Sequence, residues 1–260
     1  MAAMQMQRGL SWDHKTGKHT AIFAIVALVS ALFAATGGAA HAEESGSIDV
    51  IVRETAPLTE VAESLVERVG GAVKDNLDVI GGFTATVPAD AIGILNASPD
   101  IEAATPDGTV QFAAAGWDDA SVLDDVDFRS YSGSLYQITR ATSALNAWGK
   151  GHTGYGVDVA LVDTGVAPVP GLFPWKVAHG PDLSFESQNP ELEHLDTNGH
   201  GTHLAGIIAG LDLPLEDISQ GNGDTHSFVG MAPGSRIVNM KVGTHDGSVD
   251  VSQVIAAIDW

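Results

Sequence analysis

The sequence predicts an α/β protein: a parallel-sheet domain, incomplete within these residues, preceded by a small α+β module. Three observations predict it. A mostly apolar run over residues 157–162 stops at Asp163-Thr164-Gly165, as a buried parallel strand does at its carboxyl end. A glycine-rich turn, Asn198-Gly199-His200-Gly201, runs straight into a stretch of small and aliphatic residues that reads as a helix. Upstream, short strand-like and helix-like patterns recur in the order β-α-β-β-α-β over about 65 residues, the split βαβ pattern.

Composition narrows the function. The chain has 260 residues, with 12 Lys plus Arg against 33 Asp plus Glu, for a net charge of −21. No nucleic-acid partner is expected, because neutralising phosphates needs clustered basic side chains. With no Cys, a disulfide scaffold, a Cys-ligated zinc site and a cysteine protease are all excluded. The hydrophobic share of 44% is too high for a disordered chain.

Residues 1–42 read as a secretory signal. Arg8, Lys15 and Lys18 form a basic leader, an apolar run follows from Ala21, and Ala40-His41-Ala42 has the small-x-small form of a cleavage site. The run is short and alanine-rich for a membrane span of about 20 residues. Secretion after cleavage at Ala42 is the expectation, with no membrane partner evident.

Residues 43–112 form the expected α+β module, with a ferredoxin-like order of elements. Ile48, Val50 and Val52 alternate with other residues as in a strand. Pro57 opens a helix whose apolar stripe is Leu58, Val61, Leu65 and Val69, stopped by Gly70-Gly71. Residues 77–80 and 83–87 read as two strands joined at Gly81-Gly82. Pro88 starts a second helix carrying Ala91, Ile92 and Leu95, and residues 101–112 supply a final extended piece. The module has no His, no Cys and no polar cluster, so no chemistry is expected of it. Residues 113–134 are rich in Ala and Asp without periodicity and read as an exposed acidic linker open to proteolysis.

The α/β domain occupies residues 135–260. A helix is expected over residues 139–148, with Ala141, Ala144, Leu145 and Trp148 on one side. Asp163 then sits beyond the carboxyl end of a strand, where open α/β sheets hold their ligands. His200 falls at a helix N-terminus, where the dipole disfavours imidazolium and keeps the ring able to accept a proton. A buried carboxylate on the other ring nitrogen would set its tautomer.

Here the chain resembles a family. Val162-Asp163-Thr164-Gly165-Val166 and His200-Gly201-Thr202-His203-Leu204-Ala205-Gly206 resemble the Asp and His signatures of the subtilisin-like serine proteases (subtilases, peptidase family S8). Val229-Gly230-Met231-Ala232-Pro233, the strand-like residues 237–242, Asp246-Gly247-Ser248 and the helical pattern to Trp260 are similar to that family's next elements. The resemblance implies catalytic roles for Asp163, which would orient the imidazole, and for His200, as general base and then general acid. It implies that Gly247 and Val249 belong to the edge that binds substrate backbone, and that Val251 and Val254 line an apolar subsite. It also implies peptide or protein substrates, a propeptide role for residues 43–112 as intramolecular inhibitor and folding aid, and a maturation cut between Phe112 and Ser134. Within it, His203 is expected to be packed.

The family's nucleophile motif, Gly-Thr-Ser-x-Ala-x-Pro, does not occur: Gly108-Thr109, Gly201-Thr202 and Gly243-Thr244 are not followed by Ser. The expectation is therefore the front part of a longer serine endopeptidase precursor, inactive as it stands. A non-catalytic pseudo-protease or propeptide inhibitor is the alternative. Asp163-Thr164-Gly165 could also be a plain strand-ending turn, or half of an aspartic-protease dyad, for which no second copy exists. His200 and His203 with His194 or Asp196 could ligate a metal in a hydrolase, though no Glu lies between them. Asp196 is read mainly as a loop end. His152, His179, His226 and His245 are read as surface loop residues. No cofactor is required for the chemistry, and structural Ca²⁺ is conceivable only at the acidic loops of residues 182–193 and 212–224.

Overall fold

The protein is represented by a computed structural model, which describes residues 46–57, 59–112, 133–212 and 229–260. The expected signal sequence, nearly all of the acidic linker, His226 and all but the first residue of the 212–224 loop lie outside these residues.

The N-terminal module is a four-stranded antiparallel sheet in the order β2-β3-β1-β4. Its strands are β1 (Ser47–Glu54), β2 (Ala72–Leu77), β3 (Gly82–Pro88) and β4 (Ile101–Pro106). Helices α1 (Val61–Arg68) and α2 (Ile92–Asn96) pack on it. This is the expected split βαβ order. Its core joins Val50, Val52, Phe83, Ala85 and Val87 from the strands to Val66 and Leu95 from the helices.

Two local expectations fail. Residues 77–80 are not a strand. The strand is Ala72–Leu77, and Asp78–Ile80 form a 3-10 turn with Val79 exposed. β2 is a polar edge strand held by backbone pairing to β3, so it carries no apolar signal. The stripe expected of α1 fails in part: Val61 is exposed and the fully buried residues are Ala62 and Val66, although Leu65 and Val69 pack on the core as expected.

The C-terminal part centres on a parallel sheet in the order β6-β8-β7, with β6 (Asp158–Asp163), β7 (Val177–His179) and β8 (Arg236–Lys241). Helix α5 (His200–Ala209) covers it, and its fully buried Ala205 and Ala209 let the helix sit close to Leu161 and Ile237. The expected helix over residues 139–148 is two helices, α3 (Leu135–Ala141) and α4 (Ala144–Gly149), broken where Ser143 turns left-handed (φ 63°). β7 was not legible, being three residues beside an aromatic and proline-rich stretch. His179 accordingly lies on a strand, although exposed, with its ring stacked on His194 at 4.6 Å.

The expected final extended piece of the module also divides. After Asp107-Gly108 the chain leaves the first sheet, and β5 (Thr109–Gln111) pairs antiparallel with β9 (Ser248–Asp250). Helix α6 (Val251–Asp259) follows β9 and opens with a capping box between Asp250 and Gln253. The module rests on α6. Asp259 accepts the backbone N–H groups of Asp78 and Val79 at 2.9 and 2.8 Å, and Ser252 N–H donates to Asp107 at 3.1 Å.

Candidate active site

Asp163 ends β6 and is buried. Its backbone oxygen accepts Val242 N–H and Gly243 N–H, which bind it to the end of β8. Its Oδ1 accepts Thr164 N–H at 2.8 Å. The His200 Nδ1 lies 2.8 Å from Oδ1 and 3.0 Å from Oδ2. An ionised carboxylate only accepts, so Nδ1 carries the hydrogen and Nε2 is left as the acceptor. The two helix and strand ends meet this closely because Gly201 has no side chain: a Cβ there would lie 2.1 Å from the Gly165 oxygen and 3.1 Å from Asp163 Oδ1.

The loop before α5 is organised by Asp196. Its Oδ1 accepts the Thr164 hydroxyl at 2.8 Å, Asn198 N–H at 3.0 Å and Gly199 N–H at 2.7 Å. Its Oδ2 accepts Thr202 N–H at 2.7 Å and the Thr202 hydroxyl at 2.6 Å. Burial raises its pKa, but these donors outweigh it and hold the carboxyl below its ordinary value of 3.8. Asp196 thus does far more than end a loop. The Thr164 hydroxyl it receives also lies 3.2 Å from Asp163 Oδ1 and accepts Gly201 N–H.

Two buried lysines hold the surroundings. Lys241 donates to Glu186 at 2.7 Å and to the Leu192 oxygen at 3.2 Å, anchoring the loop that leads to His200. Lys176 donates to the Ala209 oxygen, at the end of α5, and to the Pro233 oxygen. Neither was read from the sequence. A single cation inside an apolar stretch such as Phe173-Pro174-Trp175-Lys176-Val177 was the available signal.

Gly247 and Val249 lie on the edge next to this pair, and the edge is occupied by the chain itself. Val110 pairs with Val249, and Phe112 N–H donates to the Gly247 oxygen at 2.9 Å. The Phe112 ring stacks on His200, with centroids 5.6 Å apart and planes 26° apart. The module's tail therefore reaches the Asp163–His200 pair. The turn ahead of β9 is shaped by Asp246, which accepts the Thr244 hydroxyl and Ser248 N–H and is held down to about 2 by these bonds. Val254 packs with Phe112 in one apolar cluster, while Val251 serves as the first residue of α6 and donates its N–H to the Gly108 oxygen.

His203 is exposed rather than packed, because it points off the outer side of α5. Among the described residues, no three His, Asp or Glu side chains converge as metal ligands. Asp182 is used by Ser184 and by His194 N–H, and Glu186 by Lys241, Thr197 and His245 N–H.

The family model for the subtilases (Peptidase_S8, Subtilase family) matches residues 154–260. That match covers less than half of the chain. The minor extracellular protease Epr of Bacillus subtilis is 27% identical over 230 residues, which is 88% of this chain and 32% of that protein. The thermostable alkaline protease of Halalkalibacterium halodurans is 35% identical over 114 residues, which is 44% of this chain and 27% of that protein. Fervidolysin from Fervidobacterium pennivorans, a keratinolytic enzyme related to subtilisin, shares the fold with a TM-score of 0.54 at 20% identity, covering 82% of this chain and 34% of that one. The chain spans about a third of the length of these relatives. The matched segment includes both Asp163 and His200.

Proposed function

We propose that the chain is the front part of a secreted serine endopeptidase precursor, in which Asp163 and His200 are catalytic and residues 46–112 act as an internal inhibitor. The observation that carries the reading is the Asp163–His200 pair, its carboxylate buried, with a strand of the chain lying across it. In this reading the attacking serine belongs to a part of the fold outside these 260 residues. Its hydroxyl proton passes to His200 Nε2 as oxygen attacks the peptide carbonyl. His200 then returns the proton to the leaving amine, and water releases the acyl group by the same steps in reverse. Asp163 stabilises the imidazolium and keeps Nε2 facing the reaction. Peptide substrates would add to the Gly247–Val249 edge by β-augmentation, as the chain's own tail does.

Secretion is supported by the leader sequence and by the likeness to the minor extracellular protease of Bacillus subtilis. Among the described residues, no helix is long and apolar enough to cross a membrane.

The test is steady-state hydrolysis of a peptide ester by the full-length protein. Asp163→Asn and His200→Ala are each expected to lower kcat by about 10⁴-fold or more. Rates unchanged in either variant would overturn the assignment.

A further inference from the structure

We infer that Gly243 opens an aromatic-accepting subsite beside His200, so that the cleft selects peptides with a phenylalanine-like side chain at the position stacked on the imidazole. The inference rests on the peptidase reading above and deepens it to a substrate class.

The occupant of this subsite is in the structure. The register Thr109↔Asp250, Val110↔Val249, Gln111↔Ser248 continues to the Phe112–Gly247 hydrogen bond, so the backbone sets which side chain meets His200. That side chain is Phe112, stacked on the ring at 5.6 Å. Offset stacking of this kind adds to the burial of an aromatic face.

The room for it comes from Gly243. A Cβ at this position would lie 3.1 Å from both Cδ2 and Cε2 of Phe112, and 2.9 Å from Thr164 Cγ2. Favourable carbon contacts are about 3.5–4.0 Å, so any side chain here would push into the aromatic ring. The backbone does not demand glycine, because Gly243 is absent from the positive-φ residues. Space is what it supplies. The wall is also firm, since Gly243 N–H donates to the Asp163 oxygen at 3.2 Å.

The rest of the subsite is apolar. Phe112 packs against an apolar cluster that contains Met240, Val242, Val249 and Ala257. Val110, two residues back on the same strand, is 46% exposed. Selection therefore falls on the position of Phe112 and not on that of Val110. An Ala or Gly at the Phe112 position would leave this room unfilled.

The test uses the full-length protein and quenched fluorescent peptides Thr-Val-Gln-X-Ala-Ala-Ala, copied from residues 109–115, with X as Phe, Leu or Ala. The expected kcat/KM for Phe exceeds that for Ala by at least about tenfold, the discrimination an apolar pocket supplies. In Gly243→Ala the Phe-to-Ala ratio is expected to fall by about tenfold or more. The wild-type ratio decides the matter alone if Gly243→Ala fails to fold against Thr164. Equal wild-type rates for Phe and Ala alongside intact casein hydrolysis would overturn this inference only, as would an unchanged ratio in a folded Gly243→Ala. Failure to hydrolyse casein or any of the peptides would overturn the peptidase reading and this inference with it.

Discussion

Asp196 shows how much one carboxylate can decide. It gathers three backbone N–H groups and two threonine hydroxyls from the end of β6, the loop and the first turn of α5. Replacing it by Ala strips an ionic acceptor from all of them, and hydrogen bonds to charged groups are the strong ones. Asp196→Ala is expected to cost about 3 kcal/mol of unfolding free energy at pH 7, read by urea denaturation of the full-length protein. The pH dependence has a definite sign. The folded carboxyl lies below its ordinary 3.8, so its contribution is complete above that value and is lost as pH falls through the folded one. The variant should therefore lose part of the wild type's acid-induced destabilisation. A variant as stable as wild type at pH 7 would remove Asp196 from this role.

Helix α5 is held from both ends by different means. Its N-terminus meets Asp196 and Asp163. Its last carbonyls are met by Met231 N–H, Ala232 N–H and the Lys176 ammonium, a cation at the negative end of the dipole. Lys176 donates to two backbone carbonyls, and burial lowers its pKa to about 8. The unfolded chain then binds more protons than the folded one between about pH 8 and the ordinary 10.5, so stability should gain from Lys176 as pH rises through that window. Lys176→Met is expected to abolish this slope. It should also destabilise by about 2 kcal/mol at pH 7, because the Ala209 and Pro233 oxygens lose their donor. Unfolding midpoints measured from pH 7 to 10.5 would check both, and an unaltered slope would count against the assignment.

For the whole molecule, the question is how the module stays on the parallel-sheet part. Two groups of contacts hold it: the β5–β9 pairing that ends at His200, with the Ser252 N–H to Asp107 bond beside it, and the Asp259 carboxylate on α6 that receives Asp78 N–H and Val79 N–H. The second is remote from the first, so it can be tested without touching the cleft. Asp259→Ala is expected to raise the amide exchange rates of Asp78 and Val79 by about tenfold or more, the loss of a charge-assisted acceptor. Unchanged protection would mean that the tail alone holds the module.

The sequence by itself determined the order of the module's elements, the strand that ends at Asp163 and the helix that begins at His200. These rest on local signals: an apolar run cut by Asp-Thr-Gly, and a glycine-rich turn ahead of small residues. Proximity of Asp163 and His200 was legible only through the resemblance of the two motifs to one family. Only the tertiary structure decided what depends on residues far apart in the chain. Ala62 joins Val66 on the buried face of α1 while Val61 is left exposed, and β2 was invisible because an edge strand is held by backbone bonds. Phe112 reaches His200 across 88 residues of sequence through pairing with β9, and no pattern within Val110-Gln111-Phe112 encodes that partner. Lys176, Lys241 and Gly243 take their meaning from carbonyls, a carboxylate and a ring that the fold brings to them. Periodicity and motifs report what a segment is, whereas hydrogen-bond partners and free space belong to the assembled neighbours.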